Sequence, residues 1–203
     1  MNPRRHFLGS TLALAATAAA TGCAGLMGDG GWITLVDGAK SQSLDAFTQI
    51  GEGNWSWVQG TLQGQAAKGK MGYLVTKQSF MDFEIETEFW ADAEANSGLF
   101  LRCADTRRVG ADNAYEVNIF DKRPDPTYGT GAIVDVARVP VPGPKAADRW
   151  NTFRISARGD RLVVVFNGQQ TVDVRDGKLR SGPLALQSAG GTIRFRTVRI
   201  RSV

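Results

Sequence analysis

The sequence is poor in the residues that enzymes most often use for acid–base and metal chemistry. Its 203 residues include one histidine and two cysteines. The histidine, His6, lies in an N-terminal segment that reads as an export signal, so the mature chain is expected to have none. That excludes Ser–His–Asp and Cys–His nucleophilic mechanisms and a histidine-rich zinc site. Acid–base work falls to Asp, Glu, Lys, Tyr, or a metal held by oxygen ligands. One cysteine, Cys23, sits at the end of the same signal. Cys103 is then left without a partner for an intrachain disulfide and reads as a small buried hydrophobe. No run is long enough to cross a bilayer: the apolar stretch from Leu8 to Ala20 is roughly 13 residues against the ~20 required. No stripe of Lys and Arg suggests nucleic acid. The formal charge of +4 falls to +2 once Arg4 and Arg5 leave. A Glu-x-Asp-x-x-Glu triplet, the two-carboxylate device of sandwich-fold glucanases, is also missing.

What is present divides into three parts. Residues 1–22, "MNPRRHFLGSTLALAATAAATG", combine a basic start, a short apolar middle and small residues at the end. "RRHFLG" resembles a twin-arginine signal, and "ATGC" at 20–23 resembles a lipoprotein cleavage box, with Ala20 where Leu is usual. Two outcomes stay open: lipidation of Cys23, which anchors the chain to a membrane without spanning it, or plain cleavage nearby. Either places the protein in the periplasm or cell envelope. Residues 23–30 are a Gly-rich tether. Residues 31–203 form one domain.

Within that domain short stretches of period two follow one another without an intervening helical period. They are "GWITLVDG" (31–38), "WSWVQGTLQGQ" (55–65, a hairpin around Gly60), "GYLVTK" (72–77), "DFEIETEFW" (82–90), "SGLFLRCA" (97–104) and "YEVNIFD" (115–121). "WNTFRISARG" (150–159), "RLVVVFNGQQTVDV" (161–174), "GPLALQS" (182–188) and "TIRFRTVRIRSV" (192–203) complete the set. Asn167-Gly168 specifies a tight hairpin, and the switch of apolar parity between Phe195 and Val198 predicts a bulge near Thr197. The pattern predicts an all-β fold, an antiparallel β-sandwich or jelly roll. Residues 122–149, rich in Pro and Gly, read as a long loop of functional length.

Candidate site residues follow from which side of each strand is buried. In "YEVNIFD", Tyr115, Val117 and Ile119 form the core side, so Glu116 and Asn118 point away. In "GLFLRC", Leu99, Leu101 and Cys103 are expected in the core, with Phe100 and Arg102 outward. Arg102 beside Glu116 is either a surface ion pair or part of a site. Outward Phe100 and Phe120 would suit a sugar, which has an apolar face and a hydroxyl rim. Glu84, Glu86 and Glu88 share one face, either solvated or with Glu88 reaching a site. Asn96 reads as a turn residue, and Gln187 as an edge hydrogen-bonder or a ligand contact. The five tryptophans read as core.

The order of "GWITLVDG", "GYLVTK", "DFEIETEFW", "ANSGLFLR", "YEVNIFD", "TGAI", "WNTFRI", "NGQQTVDV" and "GPLALQ" resembles the 3-keto-disaccharide hydrolase domain family. The resemblance implies a concanavalin A-like jelly roll and cleavage of glycosides already oxidised to a ketone at C3. It departs at Asn118, where family members commonly carry Gln. A C3 ketone acidifies the C2 proton, so a carboxylate can abstract it and expel the C1 substituent. Water adding back gives hydrolysis; without that step the reaction is a lyase reaction. The resemblance implies Glu116 as base, Arg102 as oxyanion stabiliser, and Asp121 or Glu88 as acid or metal ligand. Asn96, Phe100, Asn118, Phe120 and Gln187 would bind the sugar, under a lid formed by "KRPDPTYGTG". No cofactor is firmly implied; an oxygen-liganded divalent ion such as Ca²⁺ would suit this chemistry. The expected partner is a small saccharide or glycoside, with no nucleic acid and the membrane reached only through the lipid. A non-catalytic carbohydrate-binding lipoprotein is the alternative, and an envelope scaffold the third reading.

Overall fold

The computed structural model describes Met1, residues 30–67 and residues 69–203. The export signal and Cys23 lie outside the described residues. Thirteen strands follow in order: β1 (Ile33–Asp37), β2 (Phe47–Gly51), β3 (Asn54–Val58), β4 (Thr61–Gln65), β5 (Gly72–Phe80), β6 (Phe83–Ala91), β7 (Ser97–Leu101), β8 (Tyr115–Ile119), β9 (Arg149–Arg158), β10 (Arg161–Phe166), β11 (Gln169–Arg175), β12 (Gly182–Ser188) and β13 (Thr192–Ser202). A single 3₁₀ turn, Pro126–Tyr128, lies in the long loop.

The strands form two antiparallel sheets. The larger runs β11-β10-β9-β6-β13-β4-β3, with β1 also pairing with β13; the smaller runs β2-β5-β12-β7-β8. The sheets bury a common core. The large sheet contributes Phe83, Ile85, Phe89, Phe153, Phe195 and Ile200, and the small sheet Leu74, Leu99, Leu101, Tyr115, Val117 and Leu186. Aromatic rings anchor one end, with Phe89 and Phe153 stacked at 5.1 Å between centroids. The expected hairpins are present. Asn167 and Gly168 both take positive φ, 48° and 82°, the conformation a two-residue turn requires. The pairing of β13 with β6 shifts register between Phe195 and Thr197, the position of the expected bulge.

Three features differ from the sequence reading. β2 has no clean alternation, since only Phe47 of its five residues is buried, and it exists by pairing with β5. Trp150 is not core: it is 37% exposed on the outside of the large sheet, with the Arg196 guanidinium 3.8 Å above its ring. Arg102 takes φ +53°, which breaks the alternation that began in β7. Cys103 therefore joins the apolar cluster on the outer side of the small sheet with Tyr73, Val75, Phe100 and Ala185. The Arg102 side chain is wholly buried at the end of the sandwich.

Candidate active site on the outer face of the small sheet

Strand alternation places two cross-strand rows on this face. One runs Ile50, Tyr73, Gln187, Gly98, Asn118; the next runs Thr48, Val75, Ala185, Phe100, Glu116. Glu116, Asn118, Gln187 and Phe100 therefore share a surface, as the sequence predicted. It is not an open surface. Phe100 is 1% exposed and Asn118 fully buried, so neither Phe100 nor its neighbours form the exposed aromatic platform expected of a sugar face.

Glu116 is held in an unusual state. Its residue is 8% exposed. Burial pushes its carboxyl up to about 7, Arg123 opposes that rise, and Asp135 adds to it. No hydrogen bond from the described residues stabilises the ionised form, as one would for an ordinary buried carboxylate. Gly98 makes room for it. A Cβ at residue 98 would meet the Glu116 Cγ at 3.4 Å and the Val117 carbonyl oxygen at 3.0 Å, so Glu116 leans across the gap a side chain would fill.

Flanking Gly98 in the same row, Gln187 Oε1 and Asn118 Oδ1 are buried with no hydrogen-bond partner among the described residues. Their amide nitrogens are used: Gln187 Nε2 donates to Tyr73 Oη at 3.2 Å and Asn118 Nδ2 to the Tyr128 carbonyl at 2.6 Å. Leaving a buried acceptor unmade costs about 1–3 kcal/mol. Two such oxygens flank Gly98, with the Glu116 carboxyl in the adjoining row and the Phe100 ring 3.6 Å from a Cβ at residue 98; together they form a candidate site whose oxygens can accept hydrogen bonds.

The long loop borders one side of this candidate site. Residues 131–134 run along β8: Gly131 and Val134 donate backbone hydrogen bonds to the Asn118 and Glu116 carbonyls, and Ala132 accepts one from Asn118. They cover the edge strand, which would otherwise be open to pairing, and bring Arg123 and Asp135 within the field of Glu116. Asp121 fastens the loop. Its carboxylate accepts from Thr130 Oγ1 at 2.6 Å and from the backbone N–H groups of Ala146 and Ala147 at about 3 Å. Segment 122–131 is thus a pinned flank of the site rather than a free lid.

Several predicted residues lie elsewhere. Arg102 is not an oxyanion stabiliser beside Glu116. Its guanidinium donates to the carbonyls of Met81, Gly159 and Leu179 at 2.6–3.0 Å and to Asp82 Oδ1 at 3.2 Å. It ties three segments together at one end of the sandwich. Glu88 is on the outside of the opposite sheet, 2.5 Å from Arg196. Asp121 has its oxygens filled by loop donors and is a fastening, not an acid. Asn96 and Phe120 line a separate cleft of about 570 Å³ with Met71, Glu94 and Lys122. A larger recess of about 1000 Å³ opens near Thr48, Val75, Pro183 and Arg107. Among the described residues no three Asp, Glu or Cys side chains gather as metal ligands; Glu88 and Asp121, the expected ligands, are engaged as above, so no metal-dependent step is derived. Sequence reasoning missed Arg123 and Tyr73. Arg123 sits in a loop without period, and Tyr73 begins a strand whose first five residues are all buried, so alternation gave no hint of its face.

The sequence model of the 3-keto-alpha-glucoside-1,2-lyase-like domain matches residues 31–201. No curated protein matches the sequence. Among solved structures, two proteins of Parabacteroides distasonis, each provisionally designated a glycosyl hydrolase, share the fold. One has a TM-score of 0.71 at 15% identity, over 85% of this chain and 94% of that one. The other has a TM-score of 0.68 at 23% identity, over 85% and 99%. The carbohydrate-binding module CBM66 of Bacillus subtilis matches with a TM-score of 0.58 at 19% identity, over 85% and 96%. At these identities the likeness establishes the sandwich and not the activity.

Proposed function

We propose, from the family to which this chain belongs, that of the 3-keto-alpha-glucoside-1,2-lyase-like domain, that it cleaves glycosides carrying a ketone at C3. Glu116 is the base. The ketone acidifies the C2 proton, the Glu116 carboxylate removes it, and the electron pair forms an enolate that expels the C1 oxygen. Water adding to C1, with a proton returned to C2, completes hydrolysis; release before that step gives a lyase product. Arg123, the cation whose charge acts on Glu116, stabilises the negative charge that develops beside it. Gln187 Oε1 and Asn118 Oδ1 accept from sugar hydroxyls.

The observation that carries this reading is the state of Glu116: largely buried, unsupported by hydrogen bonds from the described residues, and held up to about 7. A base poised near neutral pH is what proton abstraction from carbon needs, and a salt-bridging carboxylate has no reason to be kept so. The test is turnover of a chromogenic 3-keto-glucoside by the parent chain and by Glu116→Gln. The parent should release product and the variant, still folded, should not. Equal rates would remove Glu116 from the chemistry.

The two unpartnered amide oxygens favour a second reading, since they would hold a saccharide equally well without catalysis. A binding protein would show affinity for a 3-keto-glycoside with no turnover, and Glu116→Gln would leave that affinity in place. For location we propose an exported lipoprotein anchored through Cys23, which mass spectrometry of the membrane fraction would test.

A further inference from the structure

Abstraction of the C2 proton leaves a second requirement: the departing C1 oxygen needs a proton unless it leaves as a stable anion. Neither carboxylate expected to supply it, Glu88 or Asp121, reaches the pocket. Lys122 lines the separate cleft and pairs with Glu94 there, and a guanidinium is no proton donor in general acid catalysis.

Tyr73 is different. It lies in the same row as Gln187, Gly98 and Asn118, its residue is 6% exposed, and its ring is fixed edge-on against Phe100 at 5.5 Å. Gln187 Nε2 occupies one lone pair of its oxygen. The O–H itself has only the Met71 sulfur, at 3.6 Å, and a thioether is a weak acceptor. A buried hydroxyl hydrogen with so poor a partner is available to a ligand oxygen. Tyr73 and Glu116 sit on strands three spacings apart and in adjoining rows, about 16 Å at the backbone, with Gln187, Gly98 and Phe100 between them. Their side chains lie on the same face, and the Glu116 charge acts on the phenol. Burial and the nearby Glu116 charge both keep the phenol protonated.

We propose that Tyr73 protonates the departing C1 oxygen as Glu116, on the same face of the sheet, takes the C2 proton. The inference rests on the function proposed above. In the first half, the C2–H bond breaks to Glu116, the C1–O bond breaks, and the Tyr73 proton forms the product alcohol. The chain then holds a protonated Glu116 and a tyrosinate. In the second half, tyrosinate takes a proton from the water that adds to C1, and Glu116 returns its proton to C2. The sum is substrate plus water giving 3-keto-sugar plus alcohol, with both side chains restored.

The experiment uses the full chain, with Tyr73→Phe and Glu116→Gln, on two substrates: a 4-nitrophenyl 3-keto-glucoside and a methyl 3-keto-glucoside. Nitrophenolate leaves without a proton and methanol does not. Tyr73→Phe should lose about 100-fold in kcat on the methyl glycoside, in the range for general acid catalysis, and no more than about tenfold on the nitrophenyl one. Glu116→Gln should lose both. Equal losses by Tyr73→Phe on the two substrates, or no loss on either, would overturn the role of Tyr73 while leaving Glu116 in place. Glu116→Gln retaining activity on both, or a parent chain that cleaves neither, would overturn the parent reading and this one together.

Discussion

The two sheets carry glutamates in near-identical alternating stretches, and treat them in opposite ways. On the outside of the large sheet, Glu84, Glu86 and Glu88 alternate with core residues along β6. Arginines from both neighbouring strands reach each of the first two: Glu84 meets Arg158 and Arg201 at 2.7 and 2.5 Å, and Glu86 meets Arg154 and Arg199. Hydrogen bonds from Arg201, then from Arg158, hold the Glu84 carboxyl below its usual range. On the outside of the small sheet, Glu116 alternates with core residues in the same manner, yet it has no such partner and is pushed up to about 7. A carboxylate between guanidiniums is fixed in one charge state. A buried carboxyl without hydrogen-bond donors can change charge near neutral pH. The contrast separates a surface laced with ion pairs from a face that holds one buried, unpaired carboxyl.

The sharpest way to break the comparison is to neutralise each kind of glutamate. Glu116→Gln should abolish turnover, a loss of at least about 100-fold for a general base, and should also stabilise the protein at alkaline pH. Because burial raises the folded value above the unfolded one, the cost of Glu116 is absent below about 4.5, grows as pH rises, and levels off above about 7. The variant should therefore gain up to about 3 kcal/mol over its parent at pH 8 and nothing at pH 4, as denaturant titrations at the two pH values would show. A gain equal at both values would mean the carboxyl is not held neutral.

Arg102→Ala comes next in size. It removes a buried cation whose acceptors then lose their donor, and should destabilise by about 3–5 kcal/mol. Activity should fall only in proportion to the unfolded fraction, read by comparing rates with the melting curve. Arg123→Ala should leave the melting temperature near that of the parent and lower kcat by about tenfold. It should also move the acid limb of the pH–rate profile to higher pH, since Arg123 holds Glu116 down. An unmoved limb would deny Arg123 any part in the pocket. Smallest is Glu86→Gln. It removes two surface ion pairs, each worth about 0–1 kcal/mol, and should leave kcat unchanged.

Much of this geometry could be read from residue order. The Asn167-Gly168 turn, the bulge by Thr197, and the division of "YEVNI" into a core side and a site side all follow from local stereochemistry. The site was only half legible, for two physical reasons. Arg102 follows the five residues of β7, and one positive φ sends its side chain inward and Cys103 outward. No periodicity foretells that reversal. Nor could period two distinguish Glu88 from Glu116. What separates them is the neighbouring strand, arginine-rich β13 for one and Gly98 on β7 for the other, and those pairings join residues distant in sequence. Tyr73 and Arg123 escaped because one is in a strand buried on both faces and the other in a loop.

The fastening of residues 122–149 through Asp121 has an evolutionary corollary. The proposed base and phenol belong to the sheet, whereas the cation arrives on the loop. Residues 128–134 of that loop are bonded to β8 and so are tied to Glu116, but residues 140–144 take no part in those bonds. Length and composition could change there between generations of the protein without moving the proposed base, so variety in what the face admits would enter through that tip.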